Sequence, residues 1–300
     1  MEKGNHMDSS YFDHEICNRC DICAEVCPNK IIIKNGDNDM IFRPDRIDLC
    51  FKCGQCMAVC PVKSVFIHGL SYSEDFFDLP KTVSLEEPFF NLISSRRAVR
   101  NFTDRPVERA VLEKIVKAIS FAPPGFPPVK TELIIVHDKN LIKKALPYMI
   151  DLYDFLVKAM TNPVARMFIK KEAGKKSFIT IKKHLIPLMI KRLPSLKDGS
   201  ENTITRDAPA MILFLADPNG EDIQKDINIA ASFGLLAVHA LGLGGSIMDI
   251  IPPAINKKKE LREMFKLPAS REVVAALILG YPKYRYQRGI KRELRNVRWL

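Results

Sequence analysis

The chain has 300 residues, 47% of them hydrophobic, and a formal charge of +11, which is enough for one large domain or two modest ones. The charge admits an acidic partner or an anionic ligand, but no zinc-finger spacing, basic zipper or aromatic RNA-binding signature accompanies it, so no nucleic-acid partner is expected. The polar start (Glu2, Lys3, Asn5, Asp8) has no apolar signal core, and a cytoplasmic location is expected.

All eight cysteines fall in two blocks: Cys17-x-x-Cys20-x-x-Cys23-x-x-x-Cys27-Pro28 and Cys50-x-x-Cys53-x-x-Cys56-x-x-x-Cys60-Pro61. The surrounding residues repeat as well, which marks an internal duplication. Three thiolates at three-residue steps in a tight loop can grip three corners of one cubane, while the fourth, before Pro, ligates the other. Cys17, Cys20, Cys23 and Cys60 are therefore assigned to one 4Fe-4S cluster, and Cys50, Cys53, Cys56 and Cys27 to a second. Zinc sites usually take Cys-x-x-Cys pairs separated by a longer loop, and disulfides need an oxidising compartment. Ala24, Gly54 and Ala58 are small enough for backbone to pack around inorganic sulfide. Residues 1–70 resemble a bacterial two-cluster ferredoxin, a module expected to fold only with its iron.

The acidic stretch from Ser71 to Lys81 reads as a linker, and the division assigns 71–88 to it. Ser84-Leu85-Glu86-Glu87 has the form of a capping box, so a helix should run through Phe89, Phe90, Leu92 and Ile93. It leads into the basic cluster Arg96, Arg97 and Arg100. Val111, Leu112, Ile115, Val116 and Ile119 recur at helical spacing. A rigid loop, Ala122 to Pro128, precedes a strand from Leu133 to His137. Residues 140–205 are too long for a loop and read as a helical cap insert rich in lysine. A strand from Ala210 to Ala216 and an apolar helix from Ile223 to Leu241 follow, the helix stopping at Gly242-Leu243-Gly244-Gly245. The uncharged run from Ile227 to Met248 is long enough for a membrane span. Asn228, His239 and the glycines favour a buried helix and strand instead. Strand Ile247–Ile251, helix Lys257–Phe265 and strand Glu272–Tyr281 complete an α+β pattern with a mixed sheet. His239 reads as a satisfied core histidine.

Four segments carry a resemblance to the nitroreductase family of FMN-dependent oxidoreductases: SRRAVRNF (95–102), PVERAVLEKIVKAISFAPPG (106–125), ALGLGGSI (240–247) and VVAALILGYPK (273–283). The resemblance implies a three-layer FMN domain over 89–300, a homodimer with flavin at the interface, and a small acceptor such as a nitro compound or quinone. The electron donor would be an acidic carrier protein or NAD(P)H. By the family's pattern, Arg96 and Arg100, with Arg97 beside them, face the FMN phosphate, although Ala98 stands where a serine is usual. In the proline loop Pro124 replaces a serine and Pro127 an asparagine that binds the flavin ring. Proline has no amide to donate, which leaves Gly125, Phe126 and carbonyl groups for the ring. Gly244 and Gly245 would let backbone approach the ring, and the amides near Ile247, Met248 and Asp249 would face its N5 edge. Among Lys283, Arg285, Arg288 and Arg292, Arg292 is favoured as a second phosphate ligand.

Overall fold

The computed structural model describes residues 9–50, 52–78, 85–125, 131–220, 223–287, 289–290 and 294–300. The chain divides into two compact units, Met1–Val83 and Ser84–Leu300.

In the first unit β1 (Tyr11–Phe12) pairs with β4 (Val65–Phe66), and β2 (Ile32–Lys34) with β3 (Met40–Phe42), both antiparallel. Two short helices, α1 (Ile22–Glu25) and α2 (Gln55–Val59), each begin just after the second cysteine of a block. The sequence repeat is also a backbone repeat. Arg19, Asp21 and Lys30 take positive φ in the first copy, and Lys52, Gly54 and Lys63 take it at the matching places in the second. A side chain in that region costs about 1–3 kcal/mol and persists only where the surroundings dictate it. Here the surroundings are the cysteine loops. The core is small: Ile32, Met40, Met57 and Val65 pack with Cys23 and Cys56. Leu70, Tyr72 and Phe76 pack against it, and Tyr72 Oη donates to the Val65 carbonyl at 3.0 Å. The segment from Ser71 to Phe76, read from its acidity as linker, is therefore held to this unit by its aromatic residues.

The second unit is a three-layer structure. Strands β5 (Glu132–Val136), β6 (Ala210–Ala216), β7 (Gly244–Ile247) and β8 (Glu272–Gly280) form a sheet in the order β5-β6-β8-β7. All three strand pairs are antiparallel, and among the described residues the parallel component of the sheet is the bridge from Ala98 to Gly245. Period-2 alternation sorts each strand between two cores. On β6, Met211, Leu213 and Leu215 face one core, and Ala210, Ile212 and Phe214 the other. The second of these cores is closed by α4 (Arg109–Ile119) and α8 (Ile223–Ala240) through Leu112, Ile115, Ile227 and Val238. The first is closed by α5 (Lys139–Thr161), α7 (Ile186–Lys197), α9 (Ile251–Lys257) and α10 (Lys259–Met264).

Three expectations shift. The 140–205 segment is helical, but Met149, Tyr153, Met189 and Leu193 place α5 and α7 in the main core. Within this segment α6 (Pro163–Thr180) and the helical turn after it (Ile181–Leu185) have no buried residue. The strand expected at Ile247–Ile251 lies at Gly244–Ile247, because Pro252 and Pro253 open α9 at its first turn. Helix α3 (Glu86–Ser95) begins after Leu85, which makes no side-chain cap. Ser84 lies outside the described residues.

Candidate functional site

In the first unit the thiols sort themselves by electrostatic neighbourhood. Burial pushes the Cys23 thiol up to about 11, and Cys60, Cys20 and Cys17 add to the rise. Burial likewise pushes Cys56 up to about 12, with Cys53, Cys50 and Cys27 contributing. These are the two sets of four given by the spacing, including the exchange of the fourth cysteine between blocks. One set, Cys27, Cys50, Cys53 and Cys56, lines a single cavity with Ile32 and Phe42. Buried thiols so crowded resist ionisation, so a bound cation would have to remove their protons. Among the described residues no group of three or more Cys, His, Asp or Glu could hold a metal ion. A cubane has an iron at each of four corners and accepts ligands spread more widely.

In the second unit the chain leaves α3 at Arg96, turns through Ala98, and forms its bridge to β7, with Val99 N donating to Gly245 O at 3.1 Å. Arg96 and Arg97 are half-buried at this turn and Arg100 is exposed. Arg97 Nη1 donates to the Arg96 carbonyl at 2.5 Å, while its buried Nε has no partner among the described residues. A buried donor of that kind usually has an acceptor, and an anion would supply one. Arg97 lines one cleft with Phe90, Ile93, Arg96 and Ile290, and a second with Ser95, His239, Leu243, Tyr284 and Arg285. Ser95 Oγ and His239 Nε2 lie 2.8 Å apart. Burial, and then Arg96 and Arg97, lower the His239 pKa. The ring is half-buried, lines this cleft and meets exposed Ser95, so it has a hydrogen-bond partner but does not sit in the core as expected. Arg285 is the described C-terminal arginine that shares a cleft with Arg97. Arg288 and the favoured Arg292 lie outside the described residues.

Two of the backbone donors expected at a flavin ring are committed elsewhere. Met248 N donates to the Ala276 carbonyl on β8 at 2.8 Å. Gly125 N donates to both carboxylate oxygens of Asp226, each at 2.9 Å. Phe126 and Pro127 lie outside the described residues, while Ile247 is half-buried and Asp249 exposed. The close approach at Gly244 and Gly245 is real, but its partners are protein. A Cβ on Gly244 would meet Val99 Cβ at 2.5 Å, and one on Gly245 the Ile278 carbonyl at 3.0 Å. Pro124 lines a third cleft, with Pro123, Thr131, Leu133 and Asp226. Asp226 and His239 stand near opposite ends of α8. At 1.5 Å per residue they are about 20 Å apart, so one chain keeps the proline loop and the arginine cluster well separated.

The Nitroreductase family model matches residues 93–281. The chain belongs to the nitroreductase family. A 4Fe-4S dicluster domain model matches residues 16–65, so a ferredoxin-type unit precedes the nitroreductase domain. A putative NADH dehydrogenase/NAD(P)H nitroreductase of Archaeoglobus fulgidus is 24% identical over 202 residues, covering 66% of this chain and 87% of the relative. Iodotyrosine deiodinase 1 of Rattus norvegicus is 20% identical, over 65% of this chain and 62% of its own length. A nitroreductase with bound FMN from Bacteroides fragilis superposes with a TM-score of 0.53 at 16% identity, over 73% of this chain and 99% of that one.

Within this nitroreductase domain, sequence reasoning missed Ser95 and Asp226. Both act across large sequence separations; Ser95 opens the SRRAVRNF segment, but nothing in that segment announces its bond to His239. Asp226 was legible only as a carboxylate in an otherwise apolar helix, which is a weak sign of a buried acceptor. Among the described residues no helix is long and apolar enough to cross a membrane.

Proposed function

We propose that this nitroreductase-family oxidoreductase holds two 4Fe-4S clusters and one FMN per chain. Electrons would pass between clusters and flavin, and on to a small acceptor such as a nitro compound or quinone. The observation that carries the reading is the doubled cysteine motif, with Cys27, Cys50, Cys53 and Cys56 lining one cavity, on one chain with a nitroreductase domain. FMN, when bound, supplies a carrier that takes electrons singly and gives them up in pairs. The chain's own part is to bind and orient. Arg96, Arg97 and Arg100 supply charge-assisted donors to the phosphate, with Arg97 Nε the buried donor in want of an acceptor. His239, bonded to Ser95, braces the α3 end against α8, and burial and the neighbouring arginines disfavour a positive charge on its ring. The proline loop stands at the far end of α8, so a second copy of the chain would bring its loop to the first copy's arginines. A homodimer is the assembly this reading requires. Trp299 and Leu300, both exposed, are apolar surface such a partner could cover.

The test is an anaerobic preparation, assayed for metal, sulfide and extracted flavin. About eight iron and eight sulfide per chain are expected from two cubanes, with free FMN released on denaturation. Arg96→Ala or Arg100→Ala should weaken FMN binding by about 1–3 kcal/mol and leave riboflavin binding nearly unchanged. Stoichiometric zinc without sulfide, or unaltered FMN affinity in both variants, would remove the corresponding half of the reading. A second reading, a flavin-free electron carrier, draws on the commitment of the Gly125 and Met248 amides to protein acceptors. Absence of FMN from a preparation with full iron would favour it.

A further inference from the structure

Cys27 and Cys60 occupy the same place in the two repeats. Each accepts a hydrogen bond from the amide four residues on: Ile31 N to Cys27 Sγ at 3.4 Å, and Ser64 N to Cys60 Sγ at 3.3 Å. The side chains at that position differ. Ile31 has no polar atom, whereas Ser64 Oγ lies 3.4 Å from Cys60 Sγ. Ser64 is only 2% exposed, so its hydroxyl is not shared with bulk water. A thiolate that ligates iron has no proton, which leaves the Ser64 hydroxyl as the donor. Hydrogen bonds to ligating sulfur favour the more negative, reduced state and so raise the reduction potential.

We propose that Ser64 is a tuning residue that raises the potential of the cluster held by Cys17, Cys20, Cys23 and Cys60. The cluster held by Cys27, Cys50, Cys53 and Cys56 has an isoleucine at the matching position and lacks that hydroxyl. Ser64 thus makes two ligand sets of duplicated sequence unequal as electron carriers. It biases an electron shared between them toward the cluster that Cys60 helps hold. The inference rests on the two-cluster reading and adds a residue that the cysteine spacing does not contain.

The experiment is an anaerobic redox titration followed by electron paramagnetic resonance on the full chain, its Ser64→Ala variant and its Ser64→Thr variant. In Ser64→Ala the reduced-to-oxidised ratio of one cluster at a fixed potential should fall about tenfold, on the scale of one hydrogen bond to a charged group. That is about 59 mV for a one-electron couple. The other cluster should keep its potential, and Ser64→Thr, which retains the hydroxyl, should return close to the parent. Ser64→Gly, also lacking the hydroxyl, serves as a second variant and should shift the same cluster in the same direction. Unchanged potentials in the hydroxyl-free variants, or an equal shift of both clusters, overturn the proposal. Iron and sulfide in the parent separate the two levels. Fewer than about eight of each in a fully reconstituted chain removes the two-cluster reading and Ser64's role with it, whereas a full complement with unmoved potentials removes only the role of Ser64.

Discussion

A methyl group on Gly125 would lie 2.7 Å from Asp226 Oδ1, inside the distance at which a carboxylate already accepts the Gly125 amide. Gly125→Ala must therefore push the proline loop off α8 or break the bond. A cost of about 1–3 kcal/mol is expected, the range for forcing a methyl into a filled site, read as a lower urea midpoint. Asp226→Ala removes the obstacle together with the bond. The double variant should consequently cost less than the sum of the singles, by about 0.5–3 kcal/mol of coupling; strict additivity would mean that the two residues do not meet. This contact also marks what one sequence reveals at the scale of single residues. The cysteine ligands were legible because iron–sulfur chemistry imposes its spacing locally. The Asp226–Gly125 contact was not, because the two residues meet from 101 positions apart and the local sequence at either one does not name the other.

At the scale of elements, legibility followed burial. Strand β6 is apolar throughout and flanked by polar turns, and its bounds agree with the expectation from Ala210 to Ala216. Strand β7 is short and starts inside the glycine cluster, where a strand former has no side chain to announce it. The joint between α4 and β8 was also invisible in sequence, and it carries a prediction. Tyr281 Oη donates to Glu108 Oε2 at 2.6 Å, Arg105 Nη2 bonds Glu108 Oε1 at 2.7 Å, and the Arg105 guanidinium stands 4.0 Å from the Tyr281 ring centroid. The Tyr281 hydroxyl and then Arg105 hold the Glu108 carboxyl down to about 2. A carboxylate whose folded pKa is depressed stabilises the fold above its unfolded pKa. That contribution fades as pH falls from there through the folded value, so the window runs from about 4.5 to about 2. Glu108→Gln should flatten the acid limb of a plot of Tm against pH and leave the limb above neutrality unchanged. The carboxylate is open to solvent, so the difference should shrink as salt is added. Identical acid limbs in parent and variant would show that the ties do not hold in solution.

For the whole molecule the question is why a nitroreductase domain should carry an iron–sulfur unit at all. A flavin domain that takes hydride directly from a nicotinamide has no need of clusters. Cubanes on the same chain have a use if they feed or drain the flavin one electron at a time. We therefore expect electrons to enter through the clusters from a low-potential carrier protein. The net charge of +11 would steer an acidic carrier toward the chain, an effect that salt weakens. Cys53 offers a clean point of attack. It is exposed and belongs to the set of four that lines one cavity, whereas the arginine turn lies in the other unit. Anaerobic flavin reduction by a reduced carrier should be fast in the parent and should slow as salt is raised. It should collapse in Cys53→Ser, with the FMN content unchanged. If NADH or NADPH reduces the flavin at one rate in both proteins, and the carrier does no better, electrons enter at the flavin itself. The clusters would then serve as an exit or as a structural core, and the measured order of reduction, flavin before cluster, would say so directly.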